Sequence, residues 1–454
     1  MAWKTKIPYR LIDFSTRIHP SGNWVIGVKR LSDVGGSGTW VWIDENDNVV
    51  EVEDGYFSDH PTYDFRDTTI DGENEFVSIP KFYVRSDGNS RYWISPEPKE
   101  GFHVHPAFMS KGKPIEDIYV DVHGVEHDNA RICIGKWQSY IDFSMMLSDK
   151  IKMWSIPSLT EYKISQLESA RGSEFAPETR QALASLHPSV DSTWRENWYA
   201  ADAWNDHSKD GAVNVVGYHM MTIWEWSALQ WLALIEGRTT DVSQKYGKGW
   251  LTGRSTDAVD GVKTASANFH GIYGLWGNVW QWIQGVQTRH DGTLWIWDCL
   301  GNEIWKDTQH KMRIRKSENE EWSAGETCGY WRSRLLASGY NYDTSDMFLP
   351  DTTSLVSGYE YGCFSDGVWN RTKSQTNQLY ACSVGGSYNS YDWGGMFGWN
   401  FNVRLGNEVE RNKVMMEDVR WTYPNVASRL CFAPVNLPGK ADQDSSESGE
   451  DSAG

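Results

Sequence analysis

Short runs in which apolar and polar residues alternate fill much of the first hundred positions, and a period of two marks half-buried strands. Thr39-Trp40-Val41-Trp42-Ile43 and Val49-Val50-Glu51-Val52 flank the polar Asp44-Glu45-Asn46-Asp47-Asn48, a pattern that predicts a hairpin. Residues 76–84 and 91–95 around Asp87-Gly88 predict a second one. The period then lengthens in two places. Over 158–171, Ser158-Leu159-Thr160-Glu161 leads into Ile164, Leu167 and Ala170 with Gly172 behind them; Ser158 and Glu161 have the spacing of a capping box, so a helix is expected. The second helix is expected from Thr222, with Glu225 three residues on, through Trp226, Leu229, Leu232, Ala233 and Ile235 to a stop at Gly237. Its three-to-four spacing predicts one broad buried face. From about 266 to 434 the chain is a series of Gly-separated aromatic segments with no helical period.

Length and composition turn this pattern into an organisation. A chain of 454 residues that is 39% hydrophobic is expected to form two or three packed units. The pattern divides it into a β-rich docking region over 1–70, a β-rich region over 71–150, a main domain over 151–434 and a tail over 435–454. From Lys440 onward the tail is acidic and small and lacks apolar residues, so it is expected to be disordered. A charged insertion occupies 406–420. The 26 Trp, 21 Tyr and 15 Phe suit both dense β-rich cores and binding surfaces, and most of the Trp must be core. Net charge is −18 with no cluster of Lys or Arg, so no nucleic-acid partner is expected. No apolar run has the length of a transmembrane helix, and Met-Ala-Trp-Lys-Thr-Lys lacks the apolar stretch of a signal peptide. The expected protein is made in the cytoplasm without a leader and does not insert into membranes.

Candidate chemistry is sparse. Cys133, Cys299, Cys328, Cys363, Cys382 and Cys431 include no Cys-x-x-Cys pair, which excludes a zinc knuckle or redox motif and predicts buried free thiols. A pairing of Cys382 with Cys431 across adjacent strands stays open. His103 and His105 would share a strand face, with His123 and His127 following; an imidazole metal site is weighed against solvated or core histidines, and the second is favoured because Gly124 spoils a helical His-x-x-x-His. Gly35-Gly36-Ser37-Gly38 is followed by neither a helix nor Lys-Ser/Thr, so it reads as a flexible turn. No metal and no cofactor is expected.

The most specific stretch is Gly271-Ile272-Tyr273-Gly274-Leu275-Trp276-Gly277-Asn278-Val279-Trp280-Gln281-Trp282. Alternation places Trp280 and Trp282 on one strand face and Val279 and Gln281 on the other. Gly274 and Gly277 permit a tight turn that the Asn278 amide can close. On these residues alone it is a core hairpin without chemistry. It also resembles the Gly-Asn-Val-Trp-Glu-Trp signature shared by formylglycine-generating-enzyme-like proteins and by variable proteins of the C-type-lectin fold. The stretch from Val384-Gly385-Gly386-Ser387-Tyr388 to Asn402, with Ala427-Ser428-Arg429-Leu430-Cys431-Phe432 after it, resembles the closing strands of that fold in phage tail and receptor-binding proteins, some of them diversified by retroelements. Phe348-Leu349-Pro350-Asp351, Ile79-Pro80-Lys81-Phe82-Tyr83 and His105-Pro106-Ala107-Phe108 are similar to pieces of such tail proteins. The resemblance is strong over roughly 266–434, looser over 76–250 and weakest over the first 70 residues.

This resemblance implies an α+β protein whose β-rich N-terminal region precedes a C-type-lectin-like domain with two helices and short antiparallel strands, the variable-type segment being 384–432. It implies a non-enzymatic virion protein of a phage tail or fibre tip that binds a bacterial surface receptor, glycan or protein. Its other partners would be virion proteins and further copies of itself, such as a trimer. Tyr388, Asn389, Tyr391, Asp392, Trp393, Trp399, Asn400 and Asn402 are the expected ligand-binding residues, since rigid aromatics interleaved with small polar groups are the mixture of evolved paratopes. Trp393, Phe397 and Trp399 can equally be core. The alternatives are a structural decoration or collar protein with the same fold, and an oxidase of the formylglycine-generating kind. The oxidase family uses a closely spaced cysteine pair after its Gly-Gly-Ser motif, whereas here Cys382 precedes that motif and the next Cys is Cys431.

Overall fold

The computed structural model describes residues 17–18, 23–32, 39–69, 75–87, 90–110, 113–115, 118–120, 126–128, 131–136, 218–247, 249, 267–277, 279–289, 291–297, 305–311, 330–332, 334–338, 347–351, 367–370, 378–387, 394–407, 426–427 and 429–433. These residues are β-rich with few helices, and most of their sheets are antiparallel. The expected helix at 158–171 and the tail beyond 434 lie outside them.

The N-terminal sheet has seven strands: β1 (Arg17–Ile18), β2 (Ile26–Ser32), β3 (Thr39–Ile43), β4 (Val49–Val52), β7 (Tyr83–Ser86), β8 (Arg91–Ser95) and β9 (His103–Val104), in the order β1-β4-β3-β2-β8-β7-β9. The first predicted hairpin is present, with Trp42 opposite Val50 and Ile43 opposite Val49. Its loop is closed by the Asp44 carboxylate, which accepts from the backbone N–H of Asn46 and Asn48 at 2.9 Å. The second hairpin is only half as predicted. β7 pairs with β8, but the preceding run is a separate strand, β6 (Glu75–Pro80), in another sheet. Pro80 has no N–H to continue a ladder, and the chain changes sheet there.

The second sheet draws on distant parts of the chain. Its strands are β5 (Arg66–Thr69), β6, β14 (Arg131–Gly135), β15 (Tyr218–Met220) and β28 (Leu430–Phe432), in the order β15-β28-β14-β6-β5. The third contains β18 (Trp280–Thr288), β19 (Thr293–Trp297), β20 (Trp305–Lys311), β21 (Tyr330–Arg332), β24 (Gly367–Asn370), β25 (Gln378–Val384) and β26 (Trp399–Asn407), in the order β20-β19-β18-β25-β26-β24-β21, with β27 (Val426–Ala427) also paired to β18. Four two-stranded ribbons complete the strands: β10 and β11 (Met109–Ser110, Lys113–Pro114), β12 and β13 (Ile118–Val120, Glu126–Asp128), β16 and β17 (Asn268–Phe269, Ile272–Tyr273), and β22 and β23 (Arg334–Ser338, Met347–Asp351). The expected insertion at 406–420 begins inside β26, and residues 408–425 lie outside the described residues.

Besides the single turn α1 (Tyr56–Asp59), two helices are described, α2 (Ile223–Gly237) and the short α3 (Val242–Tyr246). In α2 the capping box is formed: the Thr222 side chain accepts from Glu225 N–H at 3.2 Å, and the Glu225 carboxylate accepts from Thr222 N–H at 2.7 Å. Gly237 is the last helical residue, and Arg238 takes the left-handed C-cap position instead (φ 50°). The expected single apolar face is corrected by the structure, because every residue from Ile223 to Ile235 is buried. The helix lies between the N-terminal and large sheets. On one side the Trp42 indole donates to Ile235 O at 2.8 Å and Tyr92 meets Trp231 edge-on. On the other, the Trp224 indole donates to Trp297 O at 3.0 Å and the Gln230 amide to Met396 O at 2.9 Å. One continuous core results, running from Ile26 and Trp42 through α2 to Val384, Trp399 and Phe401. Two of the expected domain boundaries therefore fall inside sheets: β2 of the first region pairs with β8 of the second, and β14 of the second pairs with β28 of the third.

Candidate binding face of the large sheet

At the centre of the large sheet, β25 pairs with β18 on one side and β26 on the other. Cys382, Val384, Trp399 and Phe401 belong to the core shared with α2. Alternation therefore turns Trp280, Trp282, Ser383 and Asn400 to the opposite side of the sheet, which bears out the expected separation of Trp280 and Trp282 from Gln281. The strand ladder places Trp282 opposite Ser383, and Ser383 opposite Asn400.

The Gly-Gly-Ser segment leaves β25 from a fixed base. Gly385 N–H donates to Gly398 O at 3.2 Å, and Gly277 N–H donates to Gly385 O at 3.0 Å. The segment thus starts and returns at one point, tied to the Gly-Leu-Trp-Gly turn. Gly385 is required there: its φ is +91°, and a Cβ would stand 2.6 Å from Leu275 O. Beneath the turn runs a polar network anchored by Arg429. Its Nε donates to Gln281 Oε1 at 2.8 Å, Nη1 to Gly135 O at 2.5 Å and Nη2 to Tyr273 O at 2.7 Å. The Gln281 amide in turn donates to Leu275 O at 2.7 Å. Arg429 is fully buried, and burial pulls its pKa down to about 9.

The expected ligand-binding residues separate into three groups. Tyr388, Asn389, Tyr391, Asp392 and Trp393 lie outside the described residues. Trp399 is buried on the α2 side, stacked on Phe401 with ring centroids 5.8 Å apart, and Asn400 is buried on the other side; neither is the exposed contact that the aromatic and amide mixture suggested. Asn402 stands in β26 within a bulge in its pairing with β25, between Asn400 and Val403. Composition gave the mixture of residue types but not the sheet face each would take. The Gln281–Arg429 network was missed altogether. Its one sequence signal is an Arg inside the apolar closing strand.

Cys133, Cys382 and Cys431 are buried free thiols. Cys382 and Cys431 stand in different sheets, so the pairing left open above is not made. Burial raises the Cys382 and Cys431 thiols well above their usual range and that of Cys133 to about 12. His105 is a core residue: its Nδ1 accepts from Ala107 N–H at 3.2 Å and caps the turn Pro106–Phe108. His60 does the same for the turn Pro61–Tyr63, accepting from Thr62 N–H at 3.1 Å. Among the described residues no group of three or more His, Cys, Asp or Glu could hold a metal ion. No described helix is long and apolar enough to cross a membrane.

No protein-family profile matches this chain, and no curated protein sequence matches it. Among solved structures it is similar to Treponema denticola variable protein 1, at 12% identity and a TM-score of 0.28, over 82% of this chain and 99% of that one. A likeness of that size does not establish a common fold.

Proposed function

We propose that this chain is a non-enzymatic receptor-binding protein of a phage tail, with a C-type-lectin-like domain that presents residues 388–393 to a bacterial surface structure. The observation that carries the reading is the fixed base of the Gly-Gly-Ser segment. A segment rich in Tyr, Asn and Trp leaves and rejoins the sheet at one hydrogen-bonded point, on a turn held by the buried Arg429 network. Rigid support beneath adaptable side chains lowers the ordering cost of binding. Trp399 on the α2 side and Asn400 on the other are then buried members of β26 rather than contact surface. Oxidase chemistry at Cys382 finds no support, since a reactive thiolate needs a lowered pKa and access to solvent, whereas Cys382 is buried with its pKa raised. Other virion proteins and further copies of the chain are the remaining partners of this reading.

Alanine variants of Tyr388 and Tyr391, measured for both thermal melting and adsorption to host cells, test it. Adsorption is expected to fall by the equivalent of about 2 kcal/mol per anchor, while the melting temperature stays close to that of the parent. Early melting with normal adsorption per folded molecule would make the segment core and end the receptor-binding reading. Loss of particle assembly with adsorption intact would favour a structural virion role.

A further inference from the structure

The described chain passes between the N-terminal sheet and the rest of the molecule from β4 to β5, from β6 to β7 and from β9 to β10. Two buried histidines pin all of these crossings. His60 and His105 each precede a Pro and cap a single helical turn, Pro61–Tyr63 and Pro106–Phe108, where the chain leaves the sheet. Where it returns, the His105 backbone N–H donates to Phe82 O at 3.1 Å, just ahead of β7. The His60 ring also reaches back to the start of β2, with Nε2 donating to Trp24 O at 2.7 Å. Both turns bear on one stretch of α2. Tyr63 OH donates to Leu232 O at 2.8 Å, and His105 meets Trp231 edge-on. Trp42 and Tyr92 dock the sheet on that stretch too, while Trp224 and Gln230 tie α2 to the large sheet.

These bonds fix the protonation state of both rings. A carbonyl oxygen only accepts, so His60 Nε2 carries the proton, and Nδ1 is left to accept from Thr62 N–H. His105 Nδ1 likewise accepts from Ala107 N–H. A second proton on either ring would point one donor at another and end the cap. Around His60 are the rings of Trp24, Tyr56 and Tyr63, with the Glu236–His270 pair beyond Tyr63. Around His105 are Phe82, Trp231 and His103, whose imidazole is a like charge when protonated. Among the described residues neither ring bonds a carboxylate that would hold an imidazolium. Burial accordingly pulls the pKa of His60 down to about 4 and that of His105 well below its usual value. We propose that the two His-Pro turns are an acid-sensitive clasp. Protonation of both imidazoles lets the seven-stranded sheet undock from α2 as a unit, while α2 stays on the large sheet.

Both rings take up the second proton only when the clasp opens, so its stability is complete above about pH 6.5 and is lost as pH falls. Each histidine then raises the opening constant about tenfold per pH unit, and the pair about a hundredfold. The test is hydrogen–deuterium exchange on the full chain from pH 7 to 4, with labelling times scaled to the intrinsic exchange rate. Amides of β2, β3 and β8 are expected to lose protection about a hundredfold per unit, at pH values where β18 and β25 are still protected. His60→Asn and His105→Asn keep a side-chain acceptor for each turn without a titrating group. Each should remove a factor of about ten per unit, and the double variant should hold its protection across the range. Equal loss in both sheets means global acid unfolding and overturns the proposal, as does unchanged protection down to pH 4. A double variant with the parent's pH response overturns it too; if that variant fails to fold, the order of loss in the parent decides.

Discussion

Arg429 is a cation held by neutral oxygens: the Gln281 side-chain carbonyl and the backbone carbonyls of Gly135 and Tyr273. Its planar fork reaches all three at once, which a Lys ammonium does not. Arg429→Lys is therefore expected to leave at least two buried acceptors unpaired and to cost about 3 kcal/mol or more, read as a lower urea midpoint with unchanged slope. A variant that unfolds like the parent would remove the network from the account of the turn. His60 gives a second expectation. Burial pushes its pKa from 6.5 down to about 4, so the unfolded chain takes up a proton before the folded one does. The stability this provides is complete above about pH 6.5 and is lost as pH falls through 4. At about 1.4 kcal/mol per pKa unit it amounts to about 3 kcal/mol; His105 shifts in the same direction. Melts from pH 7 to 4 should show the fall, and His60→Gln should flatten it. Neither role was legible in the sequence, because the partners of Arg429 lie up to 294 positions away and a His-Pro pair does not announce a cap.

Elements were legible where their signals are local. Thr222 and Glu225 announced the start of α2, and the β3–β4 hairpin followed from alternation around a polar loop. What α2 packs against was not legible, because its burial on all sides needs two sheets that no window of sequence contains. Thr222→Ala is expected to cost about 1 kcal/mol through the lost cap, a small drop in melting temperature. Leu229→Asp places a carboxylate at a fully buried position and is expected to abolish soluble expression, since an unpaired buried charge is intolerable there. Normal expression of that variant would contradict the position of α2 between two sheets. The run at 76–84 misled for a related reason. Apolar residues continue across Pro80, but the ladder does not, and β6 and β7 enter different sheets.

Across the whole molecule, strand pairing rather than chain order sets the units. β2, β3 and β4 need β8 to complete their sheet, so a fragment of residues 1–70 is expected to remain unfolded by circular dichroism and amide dispersion. A folded fragment would restore the docking region that the sequence suggested. The same logic reaches into the making of the protein. β28 is an interior strand of its sheet, flanked by β14 and β15, and the Arg429 side chain just before it bonds a residue 294 positions earlier. At about 5–20 residues per second, a ribosome takes about 15–60 s to cover that distance. The β14 edge waits through the whole of that interval and the β15 edge from residue 220 onward, and unpaired edges invite the wrong strand. The closing strand is thus also a clock: the nascent chain stays open to chaperones, proteases and its own neighbours until almost the last of these strands emerges.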